Sequence, residues 1–179
     1  MDKTEKQLNE QIIYSGKIIK LHLDTVELPN GKEAFREYVS HNGGAAILAI
    51  DSKENIYLVK QFRYPYREEI LEIPAGKVEF GEDPKSTAIR ELSEETGFIV
   101  HDLTEYGVIY PSPGYTNEKL YIYFTKVEER HNIHLDADEF LDVVKIPIEE
   151  AFDKICSGVI KDGKTVYAIC RYMSERCRK

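Results

Sequence analysis

The sequence predicts an α/β protein, a mixed sheet packed with helices, preceded by a small N-terminal antiparallel β-sheet. Three observations point there. Short runs of apolar and β-branched residues, bounded by turn residues, recur along the first two thirds of the chain. A well-punctuated helix interrupts them at about Pro84 to Thr96. Two further helical segments close the chain, an order that suits a layered sheet and not a bundle or an all-β sandwich.

The elements follow in order. Residues 12–28 alternate apolar and polar in places, most clearly at Ile19, Leu21 and Leu23, and read as strand. Pro29-Asn30-Gly31 is a strong turn signal, and 33–40 returns as the second arm of a hairpin. Residues 44–51 and 55–62 form two strands joined by Ser52-Lys53-Glu54, and 69–74 a short third strand ended by Pro74 and Gly76. Strands follow at 104–110, 119–127 and 141–147, a charged loop at 128–139, and helices at 148–156 and 164–176. The expected division is an N-terminal sheet extension over 1–42 and a main domain over 43–179.

Composition narrows the function. The chain has 179 residues, 42% hydrophobic and 31% charged, which is ordinary for a folded domain. Its net charge of -8 argues against nucleic acid as partner, since a polyanion needs clustered Lys and Arg. The cysteines Cys156, Cys170 and Cys177 show no C-x-x-C spacing, so neither a disulfide framework nor a zinc site is expected, and a reducing cytoplasm fits. Met1 to Glu10 has no apolar core, so no signal peptide is expected, and Gly43 to Ile50 is too short to span a bilayer. His131-x-x-His134 lies in a polar stretch with no Cys nearby.

The helix at 84–96 carries the chemistry. Asp83 suits the N-cap, Pro84 the first turn and Gly97 the C-terminal cap. Ala88, Ile89 and Leu92 make an apolar stripe that should pack inward. The other face presents Glu91, Glu94 and Glu95 at i, i+3 and i+4. Like charges at that spacing destabilise an isolated helix by roughly 0.2–0.5 kcal/mol a pair. Acids near a helix C-terminus also oppose its dipole. A solvated charged face, eased by Arg90, is one explanation. The other is a hard divalent cation, which takes one or two carboxylates together with substrate phosphates.

The surrounding spacing resembles the Nudix box. That pattern is Gly, five residues, Glu, seven residues, Arg-Glu, an aliphatic residue, any residue, Glu-Glu, any residue, Gly and an apolar residue. Gly76, Glu82, Arg90-Glu91, Leu92, Glu94-Glu95, Gly97 and Phe98 fill every defined position. The resemblance implies the Nudix fold, an α/β/α sandwich around a mixed sheet, and metal-dependent pyrophosphate hydrolysis. It makes Glu91 and Glu95 the main metal ligands, the carbonyl of Ala75 a further ligand, Glu94 a ligand or catalytic helper, and Glu82–Arg90 a structural ion pair.

Further features resemble the ADP-ribose pyrophosphatase branch of that family. They are Ser112-Pro113-Gly114 past the box, Gln61-Phe62-Arg63 and Leu71-Glu72-Ile73-Pro74-Ala75-Gly76 before it, Arg36-Glu37 in the hairpin, and the ending Phe140 to Ala151. The substrate contacts this implies are Arg36, Glu37, Arg63, Glu72, Gly114 and Glu118, with Tyr14 a candidate for the adenine slot. Arginine offers a fork of donors to anionic oxygens, although surface ion pairing accounts for Arg36 and Arg63 equally well.

The expected reaction is hydrolysis of ADP-ribose to AMP and ribose 5-phosphate with two or three Mg²⁺ ions, for which Mn²⁺ substitutes. The branch also implies a homodimer in which the N-terminal sheet completes the partner's active site. The acidic loop departs from the family pattern. Ala137 stands where a catalytic Glu is usual, and Glu139 falls on a metal-contacting position. Glu139 is therefore expected to serve as ligand and general base, with Asp136 and Asp138 the other candidates. The alternatives are another nucleoside diphosphate sugar, such as GDP-mannose, as substrate, or a non-catalytic nucleotide sensor. The intact box weighs against the sensor.

Overall fold

The computed structural model describes residues 2–128 and 140–178. They divide into two compact units, one of 1–42 with 110–119 and one of 43–109 with 120–179.

The smaller unit is an antiparallel sheet. Strands β1 (Lys6–Asn9), β2 (Ile12–Ser15), β3 (Lys20–Glu27) and β4 (Glu33–Ser40) gather around β3. The β3–β4 hairpin pairs from Lys20↔Ser40 to Glu27↔Glu33. Its turn needs Gly31, whose φ of 78° an L side chain rarely adopts. The stretch 12–28 is not one strand, as its partial alternation suggests. It breaks at Gly16, whose N–H donates to the Ile19 carbonyl at 2.9 Å, so β2 folds back on β3. Strand β1 is exposed throughout and has one apolar residue, Leu8, so it carries no period-two signal and is invisible to pattern reading. Residues 110–119 join this unit through the Val39 N–H to the Tyr115 carbonyl at 2.8 Å and the Asn117 N–H to the Val39 carbonyl at 3.2 Å.

The larger unit is a mixed sheet covered on both faces. Strands β5 (Gly44–Asp51), β6 (Asn55–Arg63), β9 (Thr104–Ile109), β10 (Leu120–Val127) and β11 (Leu141–Pro147) lie in the order β11-β6-β5-β10-β9. Only β5 and β10 run parallel. Every residue of β5 from Gly44 to Ile50 is buried, as expected for a strand with both faces covered. Its alternate side chains serve two cores. Ala45, Ile47 and Ala49 pack with Ala88, Leu92 and Phe98 of helix α1 (Pro84–Thr96) and its C-terminal exit. Ala46, Leu48 and Ile50 pack with Ile148, Ala151, Ala168 and Ile169 of helices α2 (Ile148–Cys156) and α3 (Gly163–Arg176). The result is the α/β/α sandwich the sequence predicts.

One irregularity positions the site. Strands β5 and β6 pair only at Ile50↔Ile56 and then diverge. The gap is filled by β7 (Glu68–Glu72), which pairs with β6, and β8 (Ala75–Lys77), which pairs with β5. The chain from Glu72 to Gly76 thus crosses between the two central strands. No described helix is long and apolar enough to cross a membrane.

Candidate active site

Helix α1 starts and stops as its sequence predicts. The Asp83 carboxylate accepts the Ser86 N–H at 3.2 Å, and Gly97 closes the helix with φ of 77°. Its buried residues are Thr87, Ala88, Glu91, Leu92, Glu95 and Thr96, two parallel rows at spacing four. Here the structure corrects the expectation of an acidic face set apart from the apolar stripe. Glu91 and Glu95 share the inward face, at 7% and 2% exposure, while Ile89 is only half-buried. A carboxylate removed from water is expensive unless it has partners, and these two have them.

Strand β8 supplies some of those partners. The Ala75 N–H donates to Glu95 Oε2 at 3.1 Å. Gly76 lies so close to Glu91 that a Cβ built there would stand 1.7 Å from Oε1 and 2.4 Å from Oε2. Only glycine lets the main chain reach the carboxylate in this way. Arg90 supplies the counter-charge. Its Nη1 stands 2.8 Å from both Glu91 Oε1 and Glu94 Oε2, and its Nε and Nη2 reach the two Glu82 oxygens at 3.2 and 3.4 Å. One guanidinium therefore links three carboxylates that would otherwise repel. The Glu82 carboxyl is held below its usual range, first by the Arg90 hydrogen bond.

This donor set suits a hard cation. Two buried carboxylates face a strand backbone with no side chain in the way, and oxygen is the ligand atom Mg²⁺ prefers. Among the described residues, no three or more His, Cys, Asp and Glu side chains cluster as a complete metal cage. The residues fit an ion held jointly by protein and substrate oxygens, not one enclosed by protein.

A second polar cluster sits where β6 and β7 meet α3. Arg63 donates from Nε to Glu72 Oε1 at 2.6 Å and from Nη2 to Oε2 at 2.7 Å, a two-pronged pair. Lys164 also donates to Oε2, and to Asp162 Oδ1 at 3.0 Å. Burial pushes the Glu72 carboxyl up, but the Arg63 hydrogen bond and the Lys164 charge outweigh it, so its pKa lies below the ordinary value. A cavity of about 310 Å³ opens here, lined by Arg63, Tyr66, Glu68, Glu72, Lys161 and Lys164, among others.

The larger unit thus brings together Ala75, Glu91, Glu94 and Glu95 in one cluster and Arg63 with Glu72 in another. The remaining candidates of the described chain belong to the smaller unit. Arg36 pairs with Glu5 through Nε at 2.8 Å and through Nη2. Glu37 is exposed on β4. Gly114 lies in the turn where the Tyr115 N–H meets the Ser112 carbonyl at 3.2 Å. Glu118 stands 3.5 Å from His41 Nδ1, and Tyr14 is exposed on β2. Glu139, with Asp136, Asp138, His131 and His134, lies outside the described residues. Sequence reasoning missed Lys164 and Asp162. The Asp162-x-x-Thr165 spacing was a legible cap signal, but nothing in the sequence marks a lysine for burial.

Comparison with known proteins identifies the family. The NUDIX domain model matches residues 40–168, and the nucleoside diphosphate sugar hydrolase N-terminal domain model matches residues 5–39. An ADP-ribose pyrophosphatase of Bacillus subtilis (strain 168) is 44% identical over 169 residues, covering 92% of this chain and 90% of its own. A methanol dehydrogenase activator of Bacillus methanolicus is 42% identical over 167 residues, with the same coverages. A crystal structure of an ADP compounds hydrolase superposes with a TM-score of 0.83 over 99% of this chain and 98% of that one, at 20% identity, which speaks to the fold alone. The chain belongs to the Nudix family. Within that family its class is the nucleoside diphosphate sugar pyrophosphatases, enzymes of a family generally dependent on divalent metal.

Proposed function

We propose that the protein hydrolyses the pyrophosphate bond of ADP-ribose to AMP and ribose 5-phosphate, with Mg²⁺ as its cofactor. The observation that carries this reading is the pair of buried carboxylates, Glu91 and Glu95, set against the side-chain-free backbone at Gly76. The choice of substrate is supported by the ADP-ribose pyrophosphatase that shares 44% of its residues.

Glu91, Glu95 and the Ala75 carbonyl hold the metal in this reading, with Glu139 as a further ligand. Two or three Mg²⁺ ions, or Mn²⁺ in their place, would neutralise the diphosphate and make water a better nucleophile at neutral pH. Arg90 keeps the carboxylates of Glu82, Glu91 and Glu94 in register, and Glu94 assists as ligand or helper. Arg63 spends Nε and Nη2 on Glu72, and its Nη1 makes no hydrogen bond to any described residue. That nitrogen is the donor for a phosphate oxygen. Glu139 takes the proton from the attacking water.

The N-terminal unit, residues 1–42, dimerises the protein, and 43–179 form the catalytic domain. Its sheet exposes Ile12, Ile13, Tyr14, Ile18 and Phe35, an apolar surface suited to a second copy of this chain. Arg36 acts on the partner subunit's substrate in the dimer, and Glu37, Gly114 and Glu118 are further substrate contacts. All three cysteines are free, which accords with the cytoplasm.

The deciding experiment is turnover of purified protein with ADP-ribose and Mg²⁺, read as phosphate released after phosphatase treatment, beside GDP-mannose and other nucleoside diphosphate sugars. ADP-ribose should be the best substrate. Glu95→Gln and Glu139→Gln should each lose at least about 100-fold in kcat with the fold intact. Preference for another sugar nucleotide would move the substrate assignment. Binding of ADP-ribose without turnover would make the protein a sensor, and a monomer in light scattering would remove the dimer.

A further inference from the structure

The first turn of α3 reaches the end of β7 and the residue after it, just ahead of the strand that supports the carboxylate cluster. Lys164 is 8% exposed and Glu72 is 2% exposed. Glu72 Oε2 is shared by Lys164 Nζ and Arg63 Nη2, and Oε1 accepts from Arg63 Nε at 2.6 Å. Asp162 holds Lys164 from the other side at 3.0 Å, and its second oxygen caps α3 by accepting the Thr165 N–H at 3.0 Å. Thr165 Oγ1 donates to Asp162 Oδ2 at 2.5 Å and accepts the Ile73 N–H at 2.8 Å. The next residues are fixed in turn. The Pro74 carbonyl accepts the Ile47 N–H at 2.9 Å, and the Ala75 N–H donates to Glu95. Four consecutive residues from Glu72 to Ala75 are thus pinned, two of them by α3.

We propose that Lys164 is a positioning residue for substrate binding, holding the Glu72 carboxylate in the plane of the Arg63 fork so that Arg63 Nη1 is presented to a phosphate oxygen. This rests on the reading of Arg63 as a phosphate contact. The physical case is one of buried charge. A carboxylate almost without solvent needs its lone pairs filled, and the guanidinium fork fills one on each oxygen. Without the ammonium, Oε2 loses its second donor and the carboxylate can rotate out of the fork plane. Arg63, about 40% exposed at its side chain, then swings with it. An ammonium is a compact donor that occupies a single position on Oε2 and leaves the fork undisturbed.

The test is steady-state kinetics on ADP-ribose with a double-mutant cycle. Arg63→Ala should raise KM. Lys164→Met, which keeps the stem and removes the charge, should raise KM at least about five-fold and hold kcat within about two-fold, the signature of lost binding common to ground and transition states. In the Arg63→Ala background, Lys164→Met should add almost nothing. Lys164→Arg, which keeps a cation against Glu72, should recover most of the loss in KM. A merely structural lysine would instead lower the active fraction, so that apparent kcat falls with KM unchanged. That result, or effects on KM that multiply in the double variant, would overturn the proposal. Should Lys164→Met fail to fold, Asp162→Asn replaces it, keeping a helix cap while releasing Lys164 on one side, and an unmoved KM there also overturns the proposal. If Arg63→Ala alone leaves KM unmoved, the assignment of Arg63 falls and the role of Lys164 falls with it, so the silent variant tells the two failures apart.

Discussion

Gly76→Ala should separate folding from catalysis more cleanly than removal of a carboxylate. The added Cβ would lie 1.7 Å from Glu91 Oε1 and 1.9 Å from Cδ, whereas ordinary contact begins near 3.4 Å. The carboxylate must therefore retreat by more than about 1 Å, a misplacement that can cost on the order of 100-fold in rate. That corresponds to about 2.7 kcal/mol of transition-state stabilisation. Stability should change little. Gly76 lies outside the left-handed region, so alanine brings no backbone strain and gains about 0.4–1 kcal/mol from the unfolded chain. The clash falls on the far end of a flexible side chain, and a strained Glu91 rotamer costs about 0.5–1.5 kcal/mol, which roughly cancels that gain. The assay is Mg²⁺-dependent ADP-ribose hydrolysis alongside a thermal melt. A Gly76→Ala protein with the wild-type kcat would refute the claim that the position of Glu91 matters.

Two other perturbations follow from the ion pairs. Arg90→Ala removes the cation shared by Glu82, Glu91 and Glu94, so in chelator the melting temperature should fall by several degrees. Added Mg²⁺ should then raise it more than in the wild type, and equal Mg²⁺ shifts in both proteins would contradict this. Asp51 accepts from Lys145, Asn55 and the Lys53 N–H, which together outweigh burial and depress its pKa below the ordinary 3.8. A depressed folded-state pKa contributes stability that is present above the unfolded value and lost as pH falls. Asp51→Asn should therefore cost about 1–2 kcal/mol at pH 7 and progressively less below about pH 4, in urea melts. A cost independent of pH would count against the charge as its source.

The fold was legible wherever side chains alternate between two environments or the backbone needs a special residue. β5, β6 and α1 announce themselves by apolar runs, Asp83, Pro84 and Gly97. β1 did not, because a single leucine among three polar residues, all four exposed, makes no period. β8 did not either, because a three-residue strand has no room for one. The candidate site was legible in part through Glu91 and Glu95, since residues four apart on a helix share a face whatever surrounds them, and in part through the resemblance to the Nudix box, which alone marked Gly76 and Glu82 outside the helix. What pattern reading misplaced was the environment of that face. Glu91 and Glu95 read as the polar side, yet they are buried beside Leu92 because a second strand, β8, covers them. Contacts between residues roughly ninety positions apart, such as Glu72 with Lys164, leave no local trace at all.

The two rows of α1 explain how a chain of net charge -8 can address a diphosphate. Ala88, Leu92 and Thr96 anchor the helix in the core, and the adjacent row of Thr87, Glu91 and Glu95 meets β8. Packing and the proposed metal binding therefore use one face of one helix, and α1 cannot tilt to release a carboxylate without opening the core. Arg90 alone leaves the cluster of Glu82, Glu91 and Glu94 with surplus negative charge, while Arg63 and Lys164 are balanced by Glu72 and Asp162. In the proposed reading the first cluster offers acid to a cation, and the second offers a guanidinium nitrogen to a phosphate. A cation held at the first reverses the local field that the overall charge would impose. Binding to the folded state alone must also stabilise α1 against unfolding. The helix is thus placed by its apolar row before any ligand arrives, and the ligand's contribution adds to an arrangement the core has already set.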